Sequence, residues 1–204
     1  MDRCIDKAAF QTLLPALGHN ADLGRWKAAL GKRDFTPADF ARGIRGEWNV
    51  GAEYLVLPVL LAAGRNHELP DAEAVARTYS SWINNCVTRL PACGLADMDR
   101  VFQQPAEDSR LSKAGREMID VLASGQAGWT KGYVRAAAVH AQYQAALELL
   151  ILEQAGSTLT ASDGGRITRD PVSGQPFEFD ATKRTLAAPS AIANLKIEPL
   201  ALPW

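Results

Sequence analysis

Glu47, His140 and the arginine pair Arg42 and Arg45 are the residues whose types and spacing come nearest to a reaction site. Glu47 stands beside Trp48 in ARGIRGEW, so its carboxylate is expected to be partly desolvated, and desolvation raises a carboxyl pKa toward the range of a general base. Arg42 and Arg45 are three residues apart and share a helix face. His140 and Gln144 lie one turn apart in an otherwise apolar stripe, where both can project into one cavity. As chemistry, this set describes a hydrolase-like or small-ligand-binding enzyme, with Glu47 and His140 catalytic in a site between helices. As structure, His140 is a core histidine bonded to a neighbouring helix, and Glu47 is half of an interhelical ion pair with Arg77 or Arg135. Gly43 and Gly46 flank Arg45 and admit a closely packed helix, which favours the structural side.

No catalytic motif reinforces that set. GxSxG, HExxH, CxxC, a Walker A loop and the Rossmann glycine fingerprint are all missing from the sequence. His19 and His67 have no acidic or cysteine residue at metal-ligand spacing, so neither a metal site nor a cofactor is expected. Cys4, Cys86 and Cys93 allow one disulfide with one thiol left over. Cys86 shares the period of Val75, Tyr79, Trp82, Ile83, Val87 and Leu90, which makes it a buried thiol acting as a small apolar residue.

With 22 basic and 23 acidic residues mixed along 204 positions, the chain has no field to draw in nucleic acid, and such binding is not expected. The longest apolar run, YLVLPVLLAAG at 54–64, is far short of the roughly 20 residues of a membrane span and is broken by Pro58. The opening MDRCIDKAAF has neither the basic and apolar regions of a signal peptide nor a transit pattern, so the chain as written is expected in the cytoplasm.

The elements that must position these residues are mostly helical. Helices are expected at 5–17 and at 20–31, the second capped by Asn20. Thr36 and Pro37 open a third, bent at Pro58 and running to residue 63. A fourth opens at Pro70 and Asp71 and ends near Leu90. Residues 91–110 read as loop with one helical turn at DMDRVF, a fifth helix covers 111–123, and a long one follows SGQAG and ends at Gly156. In that long helix Trp129, Tyr133, Ala137, His140, Gln144, Leu147 and Ile151 recur at spacings of three and four, one packing stripe. After Gly156 the period changes to strands and turns. The expected fold is therefore mainly α, a bundle of about six helices with a small C-terminal β-hairpin. It makes one domain, residues 1–156 forming the bundle and 157–204 the hairpin and tail.

The turn DPVSGQP, with Asp170, Pro171, Ser173, Gly174 and Pro176, is the one place where residue choice follows backbone geometry. Pro171 pushes Asp170 toward an extended conformation, Gly174 can take a positive φ, and Pro176 stops any helix before FEFD. Phe177 and Phe179 alternate with Glu178 and Asp180, ATK makes the connection, and RTLAA returns. A long alanine-rich helix followed by this turn resembles the C-terminal part of a family of uncharacterised bacterial envelope-associated proteins with a DPxSGxP turn. The resemblance covers roughly residues 130 to 188. A more distant similarity is to the C-terminal turns of pseudopilins, although their N-terminal apolar anchor has no counterpart here. The resemblance implies a periplasmic or envelope location, with a signal or anchor trimmed, and a non-catalytic interaction or assembly protein that takes a protein partner or self-associates. The tail supports that role, because Leu195, Ile197, Leu200, Leu202 and Trp204 are too apolar to leave in water. Trp204 is the expected anchor for a partner.

Overall fold

A computed structural model describes residues 12, 14–31, 35–51, 57–66, 71–103 and 111–204, excluding the side chains of Pro15 and of residues 47–51. The chain is mainly α with a small antiparallel sheet near its C-terminus. Its helices are α1 (Leu23–Leu30), α2 (Pro37–Gly51), α3 (Leu57–Arg65), α4 (Ala72–Arg89), α5 (Met98–Phe102) and α6 (Lys113–Gln154). The strands are β1 (Glu178–Asp180), β2 (Thr185–Ala187) and β3 (Leu200–Ala201). The contacts separate two compact units within the described residues: one formed between Phe35 and Val134, the other by the segment up to Gly31 with Arg135–Trp204. The division falls inside α6.

In the Phe35–Val134 unit the cap at Thr36 acts as its residue type requires. Thr36 accepts the Asp39 amide at 3.1 Å and donates to its carboxylate at 2.7 Å, a reciprocal cap with Pro37 in the first turn. Along α4, Ala72, Val75, Ala76, Tyr79, Trp82, Ile83, Cys86 and Val87 are buried at helical spacing, so the expected helix packs by the expected face. Trp82 and Phe40 both meet Phe102 edge-on, at 5.9 and 6.3 Å. A neighbouring cluster gathers Leu60, Ala72, Val75, Leu111 and Ile119.

Two boundaries differ from the expectation, and two more expected helices fall partly outside the described residues. Asp22, not Asn20, caps α1, its carboxylate accepting the Arg25 amide at 2.9 Å. The third helix, expected to run on through Pro58, is helical at α2 and α3, and the junction between them at 52–56 lies outside the described residues. Of the helix expected at 5–17, most lies outside the described residues; residue 12 is helical and Leu14–Ala16 form a 3-10 turn. The helix expected at 111–123 and the long one after SGQAG are one helix, α6. Ser112 starts it, its hydroxyl accepting the Gly115 amide at 3.0 Å. Ser124, Gly125 and Gly128 cost propensity, about 1 kcal/mol per glycine, but none of them removes an amide as proline would, so the ladder runs through.

In the other unit α6 ends as expected. Gly156 takes φ +89°, and the amides of Gly156 and Ser157 bond back to the carbonyls of Glu153 and Leu152. The hairpin is antiparallel, Phe179 opposite Leu186, and β3 adds a third strand with Leu200 opposite Leu186. Ala141, Ala145, Ala146, Leu147 and Leu150 of α6 pack in one core with Phe177, Phe179, Leu186, Leu200 and Leu202. Buried Gln142 ties helix to sheet by donating to the carbonyls of Leu186 and Glu198 at 2.8 and 3.1 Å.

Candidate functional site

His140 and Gln144 do come together, and on a structural target. Gly31 ends α1 with φ +68°, and its carbonyl receives Gln144 Nε2 at 2.8 Å and His140 Nε2 at 3.2 Å. A carbonyl only accepts, so the ring carries its hydrogen on Nε2. Both side chains thus satisfy the end of a short helix, the same task that other C-terminal carbonyls leave to water. Arg42 pairs with Asp39 one turn back, and Arg45 is exposed. Glu47 lies on α2, but its side chain is outside the described residues. The arginines named as its partners are engaged elsewhere, Arg77 with Glu73 at 3.0 Å and Arg135 with the Lys196 carbonyl at 3.0 Å.

The DPVSGQP turn has the geometry its residues call for. Asp170 is fully buried, and its Oδ2 accepts the Ser173 amide at 2.7 Å and the Ser173 hydroxyl at 2.5 Å. Gly174 holds φ +70° and donates its amide to the Asp170 carbonyl at 2.9 Å, while the Asp170 amide reaches the Gln175 carbonyl at 3.0 Å. This closes a tight loop that aims Phe177 into the core. Trp204 is also used within its own unit. Its indole donates to the Leu17 carbonyl at 2.7 Å and its ring stacks on His19 at 4.3 Å. Arg184 locks the tail from the other side, forking onto both carboxylate oxygens of Glu153 at 2.9 and 2.7 Å and donating to the Pro203 carbonyl at 2.7 Å.

What the sequence reading missed is a groove in the Phe35–Val134 unit. Phe40, Gly43 and Ile44 of α2 and Gly128, Trp129, Gly132 and Tyr133 of α6 line a space of about 670 Å³. Its floor is fixed, since Tyr133 packs on Phe40 at 4.9 Å and on Phe35 at 5.3 Å and donates to the Thr36 carbonyl at 3.1 Å. Its wall is open. A methyl group at Gly43, Gly128 or Gly132 would meet nothing within 4 Å. Trp129, expected in the packing stripe, is 53% exposed at the lip instead. The signal available beforehand was the pair of glycines around Trp129, four apart on a helix where alanine would otherwise be preferred.

The ionisable groups serve the scaffold. Burial alone would raise the Glu148 carboxyl, but the Lys27 ammonium at 2.7 Å and the amide and hydroxyl of Thr168 at 2.6 and 3.0 Å outweigh it and hold the pKa below the ordinary value. Asp71 follows the same balance, burial opposing and the Ser112 amide and hydroxyl prevailing. The Cys86 thiol is pushed up to about 11 by burial, so it carries no thiolate near neutral pH. Among the described residues no group of three or more His, Cys, Asp or Glu could hold a metal ion, and no helix is long and apolar enough to cross a membrane. No protein-family model, curated protein or solved structure matches the chain. The functional reading therefore rests on the groove and on how the polar residues are used.

Proposed function

We propose that this chain is a non-catalytic interaction or assembly protein whose working surface is the groove between α2 and α6. The observation that carries the reading is Trp129, a large aromatic side chain 53% exposed beside an apolar space of about 670 Å³. Large apolar surface left in water at a concave site is a mark of binding, and tryptophan is enriched among the residues that anchor protein interfaces. The polar residues considered for chemistry support it from the other side, because His140, Gln144 and Arg42 have structural partners. An envelope setting is part of the proposal, supported by the resemblance of the DPVSGQP turn.

Affinity capture with the whole protein tests the groove. Gly43→Leu fills it from one wall and Trp129→Ala removes its lip. Leucine at Gly43 meets nothing within 4 Å of its Cβ and raises helix propensity, so this variant is expected to stay folded by circular dichroism. Both variants should lose the same captured proteins. Capture unaffected by either change means that the groove is not the working surface.

A further inference from the structure

The exposed side of α6 next to the groove fits one occupant in both shape and charge: another copy of itself. Glu117, Val121, Gly125, Gly128 and Gly132 recur at spacings of four, four, three and four and are all exposed, whereas Ile119, Thr130 and Val134 on the opposite side are buried. Val121 is the most exposed large apolar residue among the described residues of the unit, at 68%, and Trp129 adds a second on the flank. The open spaces at Gly125, Gly128 and Gly132 lie on the same face, since nothing comes within 4 Å of a Cβ placed there. Projections and hollows on one patch are what a two-fold, isologous contact requires.

Charge sets the direction. Asp120 and Lys131 are exposed on the same flank of the row, at its two ends. In a parallel pair this flank would face the other copy's Trp129 flank, and neither charge would meet an opposite one. In an antiparallel pair, with the two-fold axis crossing α6 between Gln126 and Ala127, Val121 of one copy meets Gly132 of the other and Gly125 meets Gly128. Lys131 then lies within about 3 Å of helix rise from the other copy's Asp120, twice by symmetry. Trp129 lies on the other flank, against the second copy's half-buried Leu122. We infer that the protein self-associates as an antiparallel two-fold dimer through this face of α6, with Val121 and Trp129 as its apolar contacts and Asp120 and Lys131 as reciprocal ion pairs.

The inference rests on the groove as an interaction surface and names its partner as a second copy. A contact of this size is expected to be weak, with dissociation constants on the order of 1–100 µM. Sedimentation velocity across that range should show dimers of the whole protein. Asp120→Lys and Lys131→Glu, each at an exposed position, should each weaken association by about tenfold, because two attractive pairs become repulsive together. The double variant D120K/K131E should restore it. Val121→Ser and Trp129→Ala should shift the protein toward monomer with unchanged helical signal. Three results overturn the inference: a monomer up to about 500 µM, a dimer insensitive to the single reversals, or single reversals that the double variant fails to rescue. A monomer whose capture of other proteins still depends on Trp129 would overturn the dimer alone and leave the proposed function standing.

Discussion

Gly115 and Gly128 lie on the same helix, and the same substitution should move them in opposite directions. A Cβ at Gly115 would sit 2.5 Å from Asp71 Oδ2 and 3.0 Å from Val75 Cγ2, and that carboxylate is tied to Ser112 at 2.6 and 3.0 Å. Gly115→Ala must therefore displace the contact that holds the start of α6 against α4, at a cost of about 1–3 kcal/mol. At Gly128 nothing lies within 4 Å, and alanine relieves the flexibility of glycine in a helix, a gain of about 0.5–1 kcal/mol. Urea midpoints of the two variants should fall on either side of the wild type. Equal midpoints would mean that the close approach at Asp71 is not present in solution.

At the scale of elements, the turn and the tail hold the small sheet on α6. Gly174 has φ +70°, so Gly174→Val should cost about 1–3 kcal/mol through backbone strain, read as a lowered melting temperature. Asp170→Ala frees the Ser173 amide and hydroxyl and should destabilise as well. Arg184 is the clamp of the tail. Arg184→Ala strands the Glu153 carboxylate and the Pro203 carbonyl, both of which it holds at 2.7 Å, at a cost of about 1–3 kcal/mol. The expected signature is faster hydrogen exchange in residues 198–204. Loss of exchange protection throughout the helices instead would place the clamp in the cooperative core.

For the molecule as a whole, acid should be the sensitive direction. The Glu148 and Asp71 carboxyls are held below their ordinary values of 4.5 and 3.8, one in each unit. A carboxylate with a depressed folded pKa adds stability that is present in full above its unfolded pKa and is lost as pH falls through the folded one. Melting temperature should thus decline once pH drops below about 4.5, and Glu148→Gln should both lower stability near neutrality and flatten the decline. An acid limb of unchanged slope in Glu148→Gln would remove this residue from the account. Far-UV circular dichroism should show helix as the dominant signal, in keeping with the six α-helices among the described residues.

The sequence by itself determined the local architecture: helix α4 from its apolar period, the Thr36 cap, the stop at Gly156, the turn at Asp170 and Gly174, and the hairpin from alternating Phe177 and Phe179. Each of these follows from rules that act over a few residues, capping bonds, φ limits and side-chain periodicity, which any chain carrying those residues obeys. Tertiary structure decided the rest. The glycines of SGQAG predict a break, yet α6 runs through them, because glycine weakens a helix without removing its hydrogen bonds. Likewise His140 and Gln144 share one target because α1 ends at Gly31, and no spacing within α6 contains that carbonyl. Trp129 reads as core by period but stands at the lip of a groove, since the glycines of α2 and α6 leave unfilled the space a packed helix would occupy. Periodicity states which side chains share a face; only the neighbours that fold against that face decide whether it is buried or left to bind.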